Sequence, residues 1–459
     1  MKSVGGRVRN IGFAAAIFGL LLSGASYAAA ETLSDALSAA YAGNPTLRAD
    51  RARQRGTDES VPQALSGWRP VVTTQGSVGR TWSRSELNGR SNRTPGSVNI
   101  DLSQPVFKGF RTVNGTKAAE SDVLAGRQNL LAVEQDILFQ CIQAYMNVIR
   151  DRKVLALRKQ NVSVLGQQLK AANDRFAVGE ITRTDVAQSR ARVAQAQANV
   201  ASANASLAAS IANYDKIVGH KPGSLKYPPL AKLPRSLDRA QDIASEVNPN
   251  ILAAAFVEES SVYNIEVVKA DLLPEVDVIA SAQLEDDFDR DNSNANSRSA
   301  SLQGVLTIPL YEAGRVYSGV RQAKQVASQR RLQVIATGRS VREAVSNSWN
   351  NLLAARQLIT ANRSQVSASE LALDGVRQEY LVGSRATLDV LDAQAEVVNA
   401  RISLVAAERD QVVASYQVLG SMGQLTARDL DLPVEYYDVE ENYRNVRHKW
   451  IGTGANTVE

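Results

Sequence analysis

Two pairs of short segments in this chain alternate apolar and polar residues. In the first pair, predicted to form a hairpin over residues 71–107, Val98, Ile100 and Leu102 alternate with polar residues, and a second hairpin is predicted over residues 275–310. Alternation with a period of two indicates strands that have one apolar and one polar face. Each strand is about ten residues long, which allows a tilted strand to cross a bilayer.

A long stretch of helical pattern follows each hairpin. The first stretch, residues 110–176, contains no proline, and a helix of that length would extend on the order of 100 Å. In the return helix that follows a short turn, large apolar residues recur every seven positions beside small residues. If the shorter helices ahead of each hairpin stack end to end on the return helix, their combined length would equal that of the long helix. Predicted bounds are 110–176 and 314–380 for the long helices, 177–183 and 381–387 for the turns, and 182–218 and 388–420 for the return helices.

The two hairpin-and-helix units repeat at a fixed offset. Asn44-Pro45 recurs as Asn248-Pro249, an offset of 248 − 44 = 204 residues, and Val178-Gly179 recurs as Val382-Gly383 at the same offset. So long a period indicates a duplicated structural unit rather than a short-repeat solenoid. The predicted organisation is a signal peptide at 1–30, a first repeat at 31–219, a connector at 220–234, a second repeat at 235–428 and a C-terminal tail at 429–459.

The N-terminus has the pattern of a secretory signal. Lys2, Arg7 and Arg9 precede an apolar run at 11–22 that is too short to span a bilayer, and Ala28–Ala30 offers a small-residue cleavage site. We therefore prefer a cleaved signal to an uncleaved anchor. Cleavage removes three positive charges, so the formal net charge falls from +5 to about +2 (5 − 3 = 2). The basic character then gives no argument for binding nucleic acid.

Candidate reactive groups are few. Cys141 is a single cysteine in a helical pattern, so no internal disulfide is expected, and no cysteine lies near residue 30 to carry a lipid anchor. His220 and His448 are far apart and have no ligand-like neighbours. We find no paired nucleophile and base, no phosphate-binding loop and no metal-ligand cluster. We therefore expect a protein that is not an enzyme and that has no cofactor or metal.

The alternating strands are the feature that decides between two classes of function. A sheet that lies in lipid must close on itself, and four strands are too few for a membrane barrel, so several chains would have to share one. The polar segments 83–96 and 285–297 would then be outer loops. The alternative is a soluble periplasmic coiled-coil scaffold or adaptor, because heptads fit both classes. Strands of membrane length in both units favour the first class, a conduit through a membrane.

Four segments carry a resemblance to a known family. They are the two helical turns, residues 175–186 and 380–393, and the two strand ends, residues 104–111 and 308–315. Together they resemble the TolC family of outer-membrane efflux and secretion channels, and within it the alphaproteobacterial, BepC-like branch. The resemblance covers nearly all of the chain after the signal peptide.

The resemblance implies an architecture and a set of partners. It implies a mainly α-helical homotrimer in which long antiparallel helices form a periplasmic α-barrel tunnel. Each chain would add its four strands to a shared twelve-stranded β-barrel in the lipid of a Gram-negative outer membrane. A periplasmic adaptor and an inner-membrane transporter are the implied partners, and export through the tunnel would be passive. Efflux and type I secretion are both expected functions of such a conduit.

The resemblance also assigns roles at the turns. By pattern alone, acidic residues there are ordinary helix starts. Similarity to the family instead implies a constriction formed by Asp389 and Asp392, which three-fold symmetry would stack as two acidic rings. It further implies a latch that closes the tunnel and exposed turns on which an adaptor docks. The latch residues are Thr184, Asp185, Tyr380 and Arg385, and the docking residues are Val178, Gly179, Val382 and Gly383.

Overall fold

This computed structural model describes residues 30–86, 89–288 and 297–455. The predicted signal peptide, apart from Ala30, lies outside the described residues. So does the centre of the second outer loop, at 289–296.

Short helices begin each unit where the sequence predicts them. Asn44 ends one helix and caps the next, because its side-chain oxygen accepts a hydrogen bond from the Thr46 backbone N–H at 2.9 Å while Pro45 occupies the first helical position. Asn248 repeats this arrangement in the second unit. The bounds are α1 Leu33–Gly43, α2 Pro45–Asp58 and α3 Ser60–Leu65, followed by a 3-10 turn at Ser66–Trp68, and later α6 Leu237–Val247 and α7 Pro249–Lys269.

The long and return helices have equal lengths in the two units. The long helices α4, Arg111–Ala177, and α8, Arg315–Leu381, each contain 67 residues, which corresponds to about 100 Å. The return helices α5, Arg183–Val218, and α9, Thr387–Met422, each contain 36 residues. Both pairs start 204 residues apart (315 − 111 and 387 − 183), so the repeat offset in the sequence is also the offset between equivalent helices.

The four predicted strands form one antiparallel sheet in the order β1-β4-β5-β6. The polar segment at 83–96, predicted to be a loop, instead contains most of a two-stranded ribbon, β2 with β3. A β-ribbon can pair its backbone groups locally, so its polar side chains do not prevent strand formation. The bounds are β1 Val71–Val78, β2 Thr81–Ser85, β3 Gly89–Arg93, β4 Pro95–Lys108, β5 Glu275–Asp287 and β6 Ser297–Thr307.

The register of the four-stranded sheet separates an apolar face from a polar face. One row of directly paired residues is Val72, Leu102, Ala280 and Leu302, and the next row is Thr73, Asp101, Ser281 and Ser301. Successive residues of a strand point to opposite faces, so these two rows lie on opposite sides of the sheet. The predicted phase is thus confirmed across both units. Among the described strands, β1 and β6 are the two edges of this sheet.

Contacts between the two units join them into one helical layer. Helix α7 of the second unit packs against both α4 and α8, and α9 packs against α8 and α4. Helix α2, the counterpart of α7, packs on α4. In the part of the chain that the structure describes, no helix combines the length and hydropathy needed to span a bilayer.

The main apolar core lies midway along α4, where the connector and the chain after α9 cover it. Leu138 and Tyr145 of α4 are fully buried there. The Tyr145 hydroxyl donates to the backbone carbonyls of Glu31 and Lys226 at 2.8 and 2.6 Å. A single parallel bridge pairs Glu31 with Leu225. The start of the first unit is therefore tied to the connector, and the mainly α-helical, duplicated fold class predicted from the sequence is confirmed.

Candidate functional site at the helical turns

The two turns between long and return helices share one backbone geometry. The first turn, residues 178–182, and the second turn, residues 382–386, each place a glycine in the left-handed region, Gly179 at φ +81° and Gly383 at φ +79°. The N–H groups of these glycines donate to carbonyls at the ends of α4 and α8 at 3.0 Å. Glycine adopts this conformation without the steric cost that a Cβ atom adds, so it permits a tight reversal at both sites.

An aspartate begins the return helix after each turn. Asp185 accepts hydrogen bonds from the backbone N–H and hydroxyl of Thr182, which in turn caps the Asp185 N–H. In the second unit Asp389 accepts from the Ala386 N–H at 3.1 Å. These bonds satisfy backbone donors that a helix start leaves free. Each aspartate therefore has a local structural role beside the gate role that the resemblance implies.

Asp392 is held differently from Asp389. Its carboxylate forms an ion pair at 2.5 Å with Arg192 of α5, and both side chains are about half exposed. The pair links the two return helices close to the turns. Sequence reasoning missed Arg192, although comparison of the two repeats contains a signal. The counterpart of Arg192 is Glu396, and the counterpart of Asp392 is Gln188 (392 − 204). A glutamate and a glutamine cannot form an ion pair, so the two repeats differ at this contact.

Three of the four predicted latch residues, Asp185, Tyr380 and Arg385, form contacts within their own turns or with neighbouring helices. Arg385 forms an ion pair with Glu379 at 2.7 Å, and this hydrogen bond and negative charge raise the pKa of the Arg385 guanidinium. The Thr387 hydroxyl donates to the Tyr380 hydroxyl oxygen at 3.4 Å, and the guanidinium of Arg175 lies 4.9 Å from the centre of the Tyr380 ring. Arg175 therefore joins α4 to α8 beside the turns, a contact that sequence reasoning missed.

Within one chain, then, the structure does not bring the two sides of the predicted latch together. Thr184 is exposed at the start of α5, and Asp185 is engaged by Thr182. The side-chain bonds of Tyr380 and Arg385 described above lie within the second unit, and the Tyr380 ring contacts the first unit through Arg175. The latch stays a prediction about contacts between copies.

The turns present apolar side chains to solvent. Val178 is 73% exposed and Val382 is 80% exposed, and the adjacent Phe176 and Leu381 are also exposed. Exposed apolar residues that cluster at one end of a molecule are typical of surfaces that bind another protein. Val178 and Val382 are two of the four predicted docking residues, and the two turn glycines complete the set.

A sheet with one apolar face and strands long enough to cross a bilayer is typical of outer-membrane proteins, and here it is joined to α-helices about 100 Å long. The family model described as "Outer membrane efflux protein" matches residues 36–220 and 241–424, once for each repeat. The chain therefore belongs to the outer membrane efflux protein family, and it is located in the outer membrane.

Individual relatives agree with this assignment over most of the chain. It is 40% identical to "Outer membrane efflux protein BepC" of Brucella suis biovar 1 (strain 1330), a match that covers 95% of this chain and 94% of that protein. It is 26% identical to "Outer membrane protein TolC" of Escherichia coli (strain K12), with coverages of 90% and 87%. The structure superposes on the Campylobacter jejuni CmeC outer membrane channel with a TM-score of 0.76 at 14% identity, covering 91% of this chain and 89% of that one.

Proposed function

We propose that three copies of this chain assemble into a conduit that crosses the outer membrane and continues as a helical tunnel into the periplasm. The observation that carries the proposal is the pair of free edges, β1 and β6, on a sheet whose one face is apolar. Backbone groups at a sheet edge cannot remain unpaired in lipid, so these edges require partners. A second copy offers the complementary edge, and three copies supply twelve strands, enough for a closed barrel.

The internal repeat predicts how the edges meet. Between the units of one chain, Ile100 of β4 pairs with Ala282 of β5. Moving each residue to its counterpart in the other unit (100 + 204 and 282 − 204) places Gly304 of β6 opposite Val78 of β1 in the neighbouring copy. By the same operation, the contact of α4 with α7 becomes a contact of α8 with α2 of the neighbour. Exchanging each element for its counterpart in the other unit therefore predicts the contacts that close both the sheet and the helical layer.

Cysteine cross-linking tests this assembly. Val78→Cys combined with Gly304→Cys should give disulfide-linked trimers in outer membranes, because paired strand residues bring their Cβ atoms to about 4.5–5.5 Å. The register control is Ser77→Cys with Gly304→Cys, which places the two thiols on opposite faces and should cross-link poorly. Cys141 is buried, and burial raises the pKa of its thiol to about 12, so it will not compete. Monomers from both pairs would contradict the proposal.

We infer that the second turn narrows the tunnel. Three-fold symmetry would bring three copies of Asp389 and of Asp392 around one axis, and acidic rings attract cations in a narrow pore. Arg192 would offset part of that charge at Asp392. The latch that the resemblance implies, Arg385 and Tyr380 against Thr184 and Asp185, would then form between neighbouring copies.

We further propose that the exposed valines of the turns contact a periplasmic adaptor, which joins the conduit to an inner-membrane transporter. The transporter would supply the energy, and substrate would cross the conduit passively in an efflux or type I secretion system. The name of the 40% identical relative favours efflux. The alternative of a soluble scaffold is not favoured, because the family match spans both units.

A further inference from the structure

The C-terminal tail, residues 429–455 as the structure describes it, follows α4 toward the sheet. Its successive contacts on that helix move toward the helix N-terminus. They are an ion pair at 3.1 Å between Glu440 and Arg127, a hydrogen bond at 3.2 Å from the Tyr443 hydroxyl to Glu120, and an ion pair at 2.8 Å between Arg447 and Glu120. The strands precede α4 directly, so the tail ends at the level of the sheet.

Buried polar contacts hold this path in place. The short helix α10, Glu441–Val446, packs on α2, and the Asn442 amide donates to Asp58 at 2.9 Å in a site where both residues are buried. The Tyr443 ring packs against a small apolar cluster that includes Val61 and Val123. A buried hydrogen bond and a packed ring restrict the tail to one route. Its last described residues therefore have a defined position.

Lys449 and Trp450 of the tail lie beside the segment that leads into the sheet. The Arg69 guanidinium donates to the Lys449 carbonyl at 3.0 Å and stacks over the Trp450 ring, 4.9 Å from its centre. Arg69 is two residues before β1 begins. Trp450 is 64% exposed, and the adjacent Ile451 is 90% exposed. Trp68, which directly precedes Arg69, is also exposed.

A hydrogen bond shows which side of the sheet this cluster occupies. Gln104 lies two residues after Leu102 on β4, so it shares the apolar face. Its side-chain amide donates to the Trp68 carbonyl at 2.9 Å. The turn that carries Trp68 and Arg69 is therefore on the apolar side of the sheet, the side that faces lipid if the sheet crosses the membrane.

We propose that Trp450 and Ile451, with Trp68, form an interfacial anchor that docks on the phospholipid headgroups of the periplasmic leaflet. Tryptophan favours the membrane–water interface because its indole has an apolar body and one polar N–H. Arg69 and Lys449 beside it supply positive charge for lipid phosphates. The proposal rests on the proposed function in one respect, that the sheet lies in the membrane. The anchor would fix the level of the barrel in the membrane through the tail.

Fluorescence quenching of one tryptophan at a time tests the anchor. The variant with Trp68→Phe, Trp82→Phe and Trp349→Phe retains only Trp450, and it is reconstituted into vesicles of phosphatidylethanolamine and phosphatidylglycerol. Lipids brominated near the headgroup end of the chain should quench Trp450 strongly, and lipids brominated at the chain terminus should quench it weakly. The matched control retains only Trp349, which is partly buried against the helical core and should respond to neither lipid.

Further outcomes separate the anchor from the conduit. Ile100→Trp in a chain without its four native tryptophans places the probe on the apolar face of the sheet, where lipid should quench it if the sheet spans the membrane. Quenching of that probe without quenching of Trp450 overturns the anchor and leaves the conduit standing. No quenching of either probe overturns both. If Trp450 is shielded from lipid and from aqueous iodide alike, a second copy of the chain covers it and the anchor is wrong.

Discussion

At the scale of single residues, the second turn shows how two aspartates three positions apart acquire different surroundings. Asp389 accepts a backbone hydrogen bond at the helix start, whereas Asp392 faces an arginine of another helix. An ion pair between half-exposed groups is weak, about 0.2–1 kcal/mol, so Arg192 moderates the charge of Asp392 without removing it. The net charge at the proposed constriction therefore depends on three residues rather than two.

Removing both acids should abolish block of the channel by multivalent cations. Asp389→Ala with Asp392→Ala takes two negative charges per copy from the constriction, and single-channel recording in planar bilayers measures the block. Arg192→Gln should act in the opposite direction and strengthen the block a few-fold, because it exposes the charge of Asp392. Asp374→Ala, which removes an exposed acid away from the turn, is the matched control. Unchanged block in the double variant would reject the constriction.

Arg385→Ser should raise the conductance of the closed channel, because it removes the arginine from the proposed latch. In this structure Arg385 bonds to Glu379, so Glu379→Gln is the informative comparison. If the latch forms between copies, Glu379→Gln should leave the conductance low. Equal increases in both variants would mean that the contact with Glu379, rather than a latch, sets the closed state.

At the scale of elements, equivalent positions in the two units can have different steric surroundings. Gly219 and Gly423 end α5 and α9 at φ +95° and +89°. A Cβ atom at Gly219 would meet open space, whereas one at Gly423 would lie 2.8 Å from the Asn248 Cα atom. The close approach exists because Gly423 packs on the junction of α6 and α7.

Gly219→Ala and Gly423→Ala should therefore destabilise the protein to different extents. Both substitutions add the strain of a left-handed alanine, about 1–2 kcal/mol. Gly423→Ala should add about 1–3 kcal/mol more, because backbone must move to admit the methyl group. Thermal unfolding followed by circular dichroism would show a small decrease in Tm for the first variant and a larger one for the second. Equal decreases would mean that the contact at Gly423 relaxes without cost.

At the scale of the whole molecule, the tail joins the helical layer through a titratable site. Asp58 is buried, and burial raises its pKa despite hydrogen bonds from Gln54 and Asn442. A carboxyl whose pKa is higher in the folded than in the unfolded state takes up a proton on folding. Lower pH therefore favours the docked tail, and this contribution is lost as pH rises through the raised pKa.

Asp58→Asn should flatten the pH dependence of tail docking. The substituted side-chain amide carries no charge at any pH, and the Asn442 amide can rotate to accept a hydrogen bond from its NH2 group. Hydrogen exchange of residues 441–446, measured from about pH 4 to pH 7, should slow on acidification in the parent protein after correction for intrinsic rates and should stay level in the variant. The reverse dependence in the parent would contradict the assignment of Asp58.

Much of this architecture follows from local pattern, and the sequence by itself determined that part. Periods of two and of seven depend on neighbouring residues, so they predicted the strands and the helices, and the fixed repeat offset predicted the same elements in both units. The helical turns and strand ends also carried the family resemblance. The ribbon at β2 and β3 was missed, because polar residues between two apolar strands are equally typical of a loop.

Only the tertiary structure decided which elements meet across long stretches of chain. The pairing of β4 with β5, the ion pair of Arg192 with Asp392 and the course of the tail from Glu440 to Trp450 each join residues more than 100 positions from their partners. Many partners of the same chemistry compete for such contacts. The choice among them depends on packing of the whole helical layer, which periodicity along the chain does not encode.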